Sequence, residues 1–266
     1  MATLDAFFES VTLPTIPDLA QSLIALLHDD DAALDELADL IARDPAISAK
    51  LLRLANSAHF GLPRGVGTID DAIAMVGLNP VRTLALGASL SGVFVPVSGL
   101  DMRAFWKSSM ACAGYAEWLA RQVGVDVQMA WLTGMMLRLG TLLIAQTDPT
   151  ALQRIEAGPP APGVRWQRQK QQTGFTEGEL TAELARRWNF PMQIVQALQR
   201  SADPLVEQAY SRLGAILHLG ALLAETPNAE AAQVGELPSD VVSALGLAPD
   251  WMRTHFPDNA DFIDAS

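Results

Sequence analysis

The sequence predicts an all-α, multi-helix protein, on three observations. Half of its 266 residues are apolar and weighted towards Ala and Leu, and few are aromatic. Apolar positions recur at three- and four-residue spacing, without the strict alternation of strands. Segment after segment also opens with a helix start signal: Asp, Thr or Asn followed by Pro, or by an acid three residues on. A chain of this length can bury a substantial core.

The elements follow in order. Pro17 opens a helix with an apolar face of Leu19, Leu23, Ile24 and Leu27, ending near His28, and the acids Asp29, Asp30 and Asp31 break it. Leu34, Leu37, Leu40 and Ile41 mark a second helix running to Arg43. Asp44 and Pro45 supply the N-cap and first position of a third, in which Leu51, Leu52 and Leu54 are expected to pack inward. Asn56 and Ser57 are expected to hydrogen-bond the backbone where that helix meets a connector containing Gly61, Pro63, Gly65 and Gly67. Thr68 to Asp71 resembles a capping box for a helix ending at Gly77, and Asn79-Pro80 is expected to cap the next.

Residues 92–100 mix Gly, Pro and β-branched residues, which predicts a subdomain junction. Two long helices are expected beyond it, over about 101–122 and 126–146, with Phe105, Trp106, Trp118, Trp131, Met135 and Met136 as a core stripe. Residues 156–164 form a loop, Thr176 and Glu179 a capping box for a helix ending near Trp188, and Pro191 the start of another. Apolar spacing from Leu205 to Leu223 predicts a further helix, followed by short ones and an acidic tail. The expected partition is a lead over 1–12, an N-terminal helical subdomain over 13–95, a helical core over 96–204, and a C-terminal helical extension with tail over 205–266.

Composition excludes several functions. The formal charge of −12 argues against general nucleic-acid affinity, which comes from neutralising phosphates with Lys and Arg. Residues 101–200 are the exception, with eleven bases against eight acids, so an anionic ligand or acidic partner would meet the chain there. The single cysteine, Cys112, rules out an internal disulfide or a thiolate zinc cluster and is expected to be a buried structural thiol. No charged leader or membrane-length apolar run stands out, so a cytoplasmic protein that does not engage membranes is expected. Dinucleotide, P-loop and serine-nucleophile motifs do not occur. His28, His59, His218 and His255 are too far apart to share a helical turn, so no histidine metal site is expected. The dipeptide His28-Asp29 reads as a solvated helix end, where the macrodipole favours a basic side chain.

From Leu13 to about Pro204 the chain resembles the HDOD family of output domains related to HD phosphohydrolases. The resemblance rests on LPTIPDLAQSLIALL, on DPAISAKLLRLANSAHFGLPRGVGTIDDAIAMVGLNPVRTLAL from Asp44 to Leu86, and on later landmarks such as Phe105-Trp106, Gly134 to Gly140, Trp188 to Pro191 and Asp203-Pro204. It implies an HD-like core behind an N-terminal helical subdomain, with Asp44, Pro45, Asn56, Ser57 and Gly61 as a structural signature. It also implies that the metal ligands are gone. Ser108 stands where relatives often carry His, Leu137 and Arg138 where they carry His-Asp, Glu177 where His is expected, and Ser201 and Ala202 where a His-His pair precedes Asp-Pro. The implied function is non-catalytic, cofactor-free regulation in bacterial-type signal transduction, exerted through protein partners.

Two other classes compete with that reading. The vestigial cleft could bind a phosphorylated nucleotide second messenger through Arg138, Arg165, Arg168, Lys170 and Arg200, unless residues 165–170 are simply a solvated basic helix end. A residual phosphohydrolase would instead draw ligands from Glu177, Glu179 and Glu183. The sharpest expectation is that Arg138 replaces the metal's charge by pairing bidentately with Glu177, with Ser108 and Ser201 supplying further hydrogen bonds. Neither the partner nor the oligomeric state is legible in the sequence.

Overall fold

The computed structural model describes residues 3–11, 13–27, 34–56, 62–94, 96–97, 99–158, 161–206, 210–226, 229–258 and 262, and among these every regular element is a helix. His28, Asp29, Ser57, His59 and Gly61 lie outside the described residues.

The N-terminal part contains α1 (Leu4–Glu9), α2 (Asp18–Leu26), α3 (Leu34–Ala42), α4 (Pro45–Ala55), α5 (Ile69–Val76) and α6 (Leu78–Ser91). Asp44 caps α4 by accepting from the Ala46 and Ile47 N–H groups at 3.0 and 3.1 Å. On α4, Ile47, Leu51 and Ala55 form the buried i, i+4 row, while Leu52 and Leu54, expected inward, flank it half-buried. Asn56 closes the connector: its amide donates to the Val66 carbonyl at 2.9 Å and its carbonyl accepts from the Val66 N–H at 2.7 Å. The start of α6 is Gly77, at φ 98°, not Asn79-Pro80; the left-handed glycine joins α5 directly to α6. Along its length α6 meets α2, α4 and α5, and also α8 of the core, so it is buried nearly throughout.

The core is built on α7 (Met102–Val123), capped by Asp101 and ended by Gly124 in the left-handed conformation. The expected continuous helix over 126–146 is two helices, α8 (Val127–Met136) and α9 (Leu139–Thr147). The cause is a hydroxyl inserted into the backbone ladder. Thr181 Oγ1 donates to the Leu137 carbonyl at 2.8 Å and accepts from the Gly140 N–H at 2.7 Å. The segment Val127–Thr147 is apolar and long enough to cross a membrane, but 78% of its 18-residue apolar stretch is buried inside the fold.

Next come α10 (Pro149–Glu156), α11 (Val164–Thr173), α12 (Glu177–Arg187) and α13 (Met192–Gln199). The capping box of Thr176 and Glu179 is formed at the head of α12. The helix expected from Leu205 begins only at Arg212, where Ser211 caps it, and runs as α14 (Arg212–Glu225). It lies along α7 and α13 with Leu213 to Leu223 buried, so this part of the expected extension packs into the core. A 3-10 turn (Ala231–Glu236), α15 (Ser239–Ala244) and α16 (Pro249–Thr254) follow. Trp251 of α16 stacks on Trp118 of α7, with ring centroids 5.5 Å apart.

Candidate functional site

The break between α8 and α9 points Arg138 towards the first residue of α12, Glu177. Two glycines let the backbones close there: a Cβ on Gly140 would lie 2.2 Å from the Glu177 carbonyl oxygen, and one on Gly178 would lie 2.6 Å from the Leu198 carbonyl oxygen and 2.2 Å from Ser201 Oγ. Glu177 is 1% exposed, so its carboxylate is stable only if its lone pairs are occupied and its charge is balanced.

Arg165 of α11 does most of this, through a hydrogen-bonded ion pair from Nη1 to Glu177 Oε2. Thr141 donates to Oε2 at 2.5 Å and Trp166 Nε1 to Oε1 at 3.3 Å. Gln169 Oε1 accepts from the Glu177 N–H at 2.8 Å. Arg165 also reaches Glu156, with Nε and Nη2 at 3.1 and 2.8 Å from Oε1, and is itself 8% exposed. Arg138 stands close without bonding: its Nε is 3.8 Å from Glu177 Oε2 and, although buried, makes no hydrogen bond. The expected Arg138–Glu177 ion pair is therefore present but neither hydrogen-bonded nor bidentate, and the hydrogen-bonded contact comes from Arg165, through one nitrogen only.

The electrostatics agree with the geometry. Burial alone would raise the Glu177 pKa, but the guanidinium charges of Arg165 and Arg138, with the hydrogen bonds of Thr141 and Arg165, hold it at about 2. Burial, then the like charge of Arg165, lowers that of Arg138. Burial and the Glu177 charge raise that of Glu225. The buried Cys112 thiol is pushed up chiefly by desolvation, as for an inert structural cysteine.

The two serines do not serve the pair. Ser201 Oγ donates to the Leu198 carbonyl at 2.8 Å, and Ser108 lines the cleft above Arg138. Leu137 and Ser201 pack around Gly178, and Ala202 lies half-buried against the core. His218, an isolated histidine in the sequence, donates from Nδ1 to the Ser201 carbonyl at 2.7 Å and lies against Trp166, 5.1 Å between centroids.

Above the pair is a cleft of about 550 Å³ between α7, the α10–α11 loop and the end of α14. Of the residues expected to bind an anion, Arg138, Arg165 and Arg168 line it, and Lys170 and Arg200 do not. Lys170 pairs with Glu179 at 2.6 Å on the surface. The alternative expectation of a solvated helix end over 165–170 fails at Arg165 and Trp166, both buried. Asp101, Glu156 and Glu225 share the lining, and with Glu177 they offset all three guanidinium charges. Nor do Glu177, Glu179 and Glu183 converge: Glu183 is held by Arg186 and Arg187 at 2.6 to 2.7 Å. Among the described residues no three His, Cys, Asp or Glu side chains are grouped to hold a metal. The HD-type metal does not fit this donor set, since its one buried carboxylate is bound by a guanidinium that has no lone pair to offer.

Thr141, Trp166, Gln169 and Thr181 were not singled out from the sequence. Spacing offered a hint, because Arg165 and Gln169 are i, i+4 on a helix that is otherwise polar, beside its only tryptophan.

An uncharacterized protein of Treponema pallidum (strain Nichols) is 24% identical over 192 residues, which are 70% of this chain and 37% of that relative's length. Among solved structures, a Shewanella amazonensis SB2B protein whose name proposes a phosphohydrolase is 25% identical, with a TM-score of 0.78 over 98% of this chain and 96% of that one. An HDOD domain protein of unknown function from Geobacter sulfurreducens is 22% identical, with a TM-score of 0.72 over 98% and 91%. A Marinobacter aquaeolei VT8 protein whose name proposes signal transduction is 21% identical, with a TM-score of 0.76 over 98% and 59%. The HDOD domain model matches residues 13–204, most of the chain, and the chain belongs to the HDOD domain family.

Proposed function

We propose that this chain is a non-catalytic regulatory module that works in signal transduction through protein–protein contacts. The observation that carries the reading is the buried pair of Arg165 and Glu177, with Arg138 beside it, where an HD hydrolase would hold metal. Metal-dependent phosphoester hydrolysis needs a cation to polarise the phosphate oxygen and to generate hydroxide. Here two guanidinium groups supply the positive charge, and neither can ionise a water. The name of the Marinobacter relative is consistent with signalling. That of the Shewanella relative offers the competing activity. Purified chain, dialysed after exposure to Mn, Fe and Zn, is expected to retain no stoichiometric metal and to leave bis(p-nitrophenyl) phosphate intact. Stoichiometric metal with turnover would overturn the proposal.

A second reading, a sensor for a phosphorylated nucleotide, is favoured by Arg138, which lines a cleft of about 550 Å³ and whose Nε is unbonded. The four offsetting carboxylates weigh against it. A thermal-shift screen of nucleotides separates the two, because a ligand present at about 100 times its Kd stabilises by roughly 2.7 kcal/mol.

A further inference from the structure

A different cleft opens on another face of α7. The Arg138 cleft takes Asp101, Ala104, Phe105 and Ser108 from this helix, whereas Arg103, Trp106 and Met110 turn away from it. With residues of α4, α6 and α8 they enclose about 340 Å³. The floor is apolar, formed by Trp106, Met110, Trp131, Met135 and Gly87. A Cβ on Gly87 would lie 3.1 Å from the Trp131 ring, so glycine is what lets the indole close on the α6 backbone.

The rim is basic. Lys50 and Arg53 lie one turn apart on α4, and Arg103 faces them from α7. No carboxylate lines the cleft, and among the described residues none forms an ion pair with these three cations. In a chain of net charge −12, three cations without acidic partners around one apolar floor are conspicuous. Helix dipoles account for part of the set: Arg53 is in the last turn of α4, and Lys50 approaches the end of α6, 3.4 Å from Ser91 Oγ. They do not account for Arg103, which sits in the first turn of α7, where a positive charge is disfavoured.

We propose that this cleft binds an amphipathic organic anion, with its apolar body against Trp106, Trp131 and the methionines and its carboxylate or phosphate head at Lys50, Arg53 and Arg103. The volume is that of a small-ligand pocket. One wall belongs to the N-terminal helices and the other to the core, so an occupant ties the two together. The site shares no residue with the Arg138 cleft and stands whether or not the chain is catalytic.

Calorimetric titration of the full chain with decanoate, decyl phosphate and decanol tests the assignment. At least one anion is expected to bind with one-to-one stoichiometry, and decanol at least about tenfold more weakly. Comparing the two anions tells a carboxylate head from a phosphate head. Reversing the exposed rim charges in R53E/R103E is expected to weaken the anion by about tenfold or more without changing decanol, and R53Q/R103Q to fall between. Absence of binding by both anions, equal affinity for decanol, or indifference to the charge reversal would each overturn the proposal.

Discussion

At the scale of single residues, the site is a buried carboxylate with two unequal cationic neighbours. Arg165 hydrogen-bonds Glu177, Glu156 and Thr141, whereas Arg138 is half-buried beside a like charge with its Nε unbonded. Removing one partner of a buried, hydrogen-bonded pair strands the other charge, but removing a half-buried charge whose Nε makes no hydrogen bond gives back its desolvation cost against only a loose ion pair. Arg165→Met is therefore expected to destabilise by about 3–5 kcal/mol at neutral pH, and Arg138→Met by less than about 1 kcal/mol, measured by urea unfolding. The Arg165→Met loss should also depend on pH, with a definite sign. The folded-state pKa of Glu177 is about 2 against an ordinary 4.5, so its pairing stabilises fully above 4.5 and less as pH falls towards 2. In the variant the Arg165 charge no longer opposes the raising effect of burial, so acid neutralises the stranded carboxylate at a higher pH than in the unsubstituted chain, and the gap between the two should narrow as pH falls through the variant's pKa towards 2. If the two substitutions cost the same, or the gap widens in acid, Arg165 is not the main partner of Glu177.

At the scale of elements, many helix starts were legible because an N-cap is a local device, although those expected at Asn79-Pro80 and Leu205 fell at Gly77 and Ser211. Asp44, Thr68, Asp101 and Thr176 each accept from the N–H groups two or three residues on, as their side chains predict. The break between α8 and α9 was not legible, because its cause is Thr181, some forty positions away. Without that hydroxyl, residues 127–147 read as one unbroken apolar helix, and in isolation they would favour one. Thr181→Val keeps the shape and removes both hydrogen bonds, leaving the Leu137 carbonyl and the Gly140 N–H unsatisfied unless the helices fuse. The expected loss is about 1–3 kcal/mol for each buried group left bare. Fusion would instead swing Arg138 out of the cleft, so a chemical-shift map of the variant should show changes concentrated at 137–141 and 177. A variant as stable as the parent, with no change at those positions, would mean that the break is set by something other than Thr181.

At the scale of the whole molecule, the resemblance and the physical core do not end at the same place. The family match stops at residue 204, and the sequence reading placed an extension beyond it. That boundary follows from where recognisable motifs end, whereas the core follows from which apolar faces must be covered. The fourteen-residue helix α14 covers α7, and its Gly220 lies so close that a Cβ there would be 3.2 Å from the Ala116 nitrogen. Its buried side chains include Leu213, Ile216, Leu217, Leu219 and Leu223. At roughly 1.5–3 kcal/mol for each large aliphatic side chain, those five contribute about 7–15 kcal/mol of burial. A typical domain has a net stability of about 5–15 kcal/mol, so no reserve is left once they are removed. Glu225, at the end of the same helix, also accepts from the Gly163 N–H at 3.0 Å and so helps to hold the loop that leads into Arg165. A chain cut after Pro204 is accordingly expected to lose cooperative thermal unfolding and near-ultraviolet circular dichroism, while retaining part of its far-ultraviolet helical signal. If the shortened chain melts cooperatively within a few degrees of the full one, α14 is an addition to the core and the family boundary is the physical one.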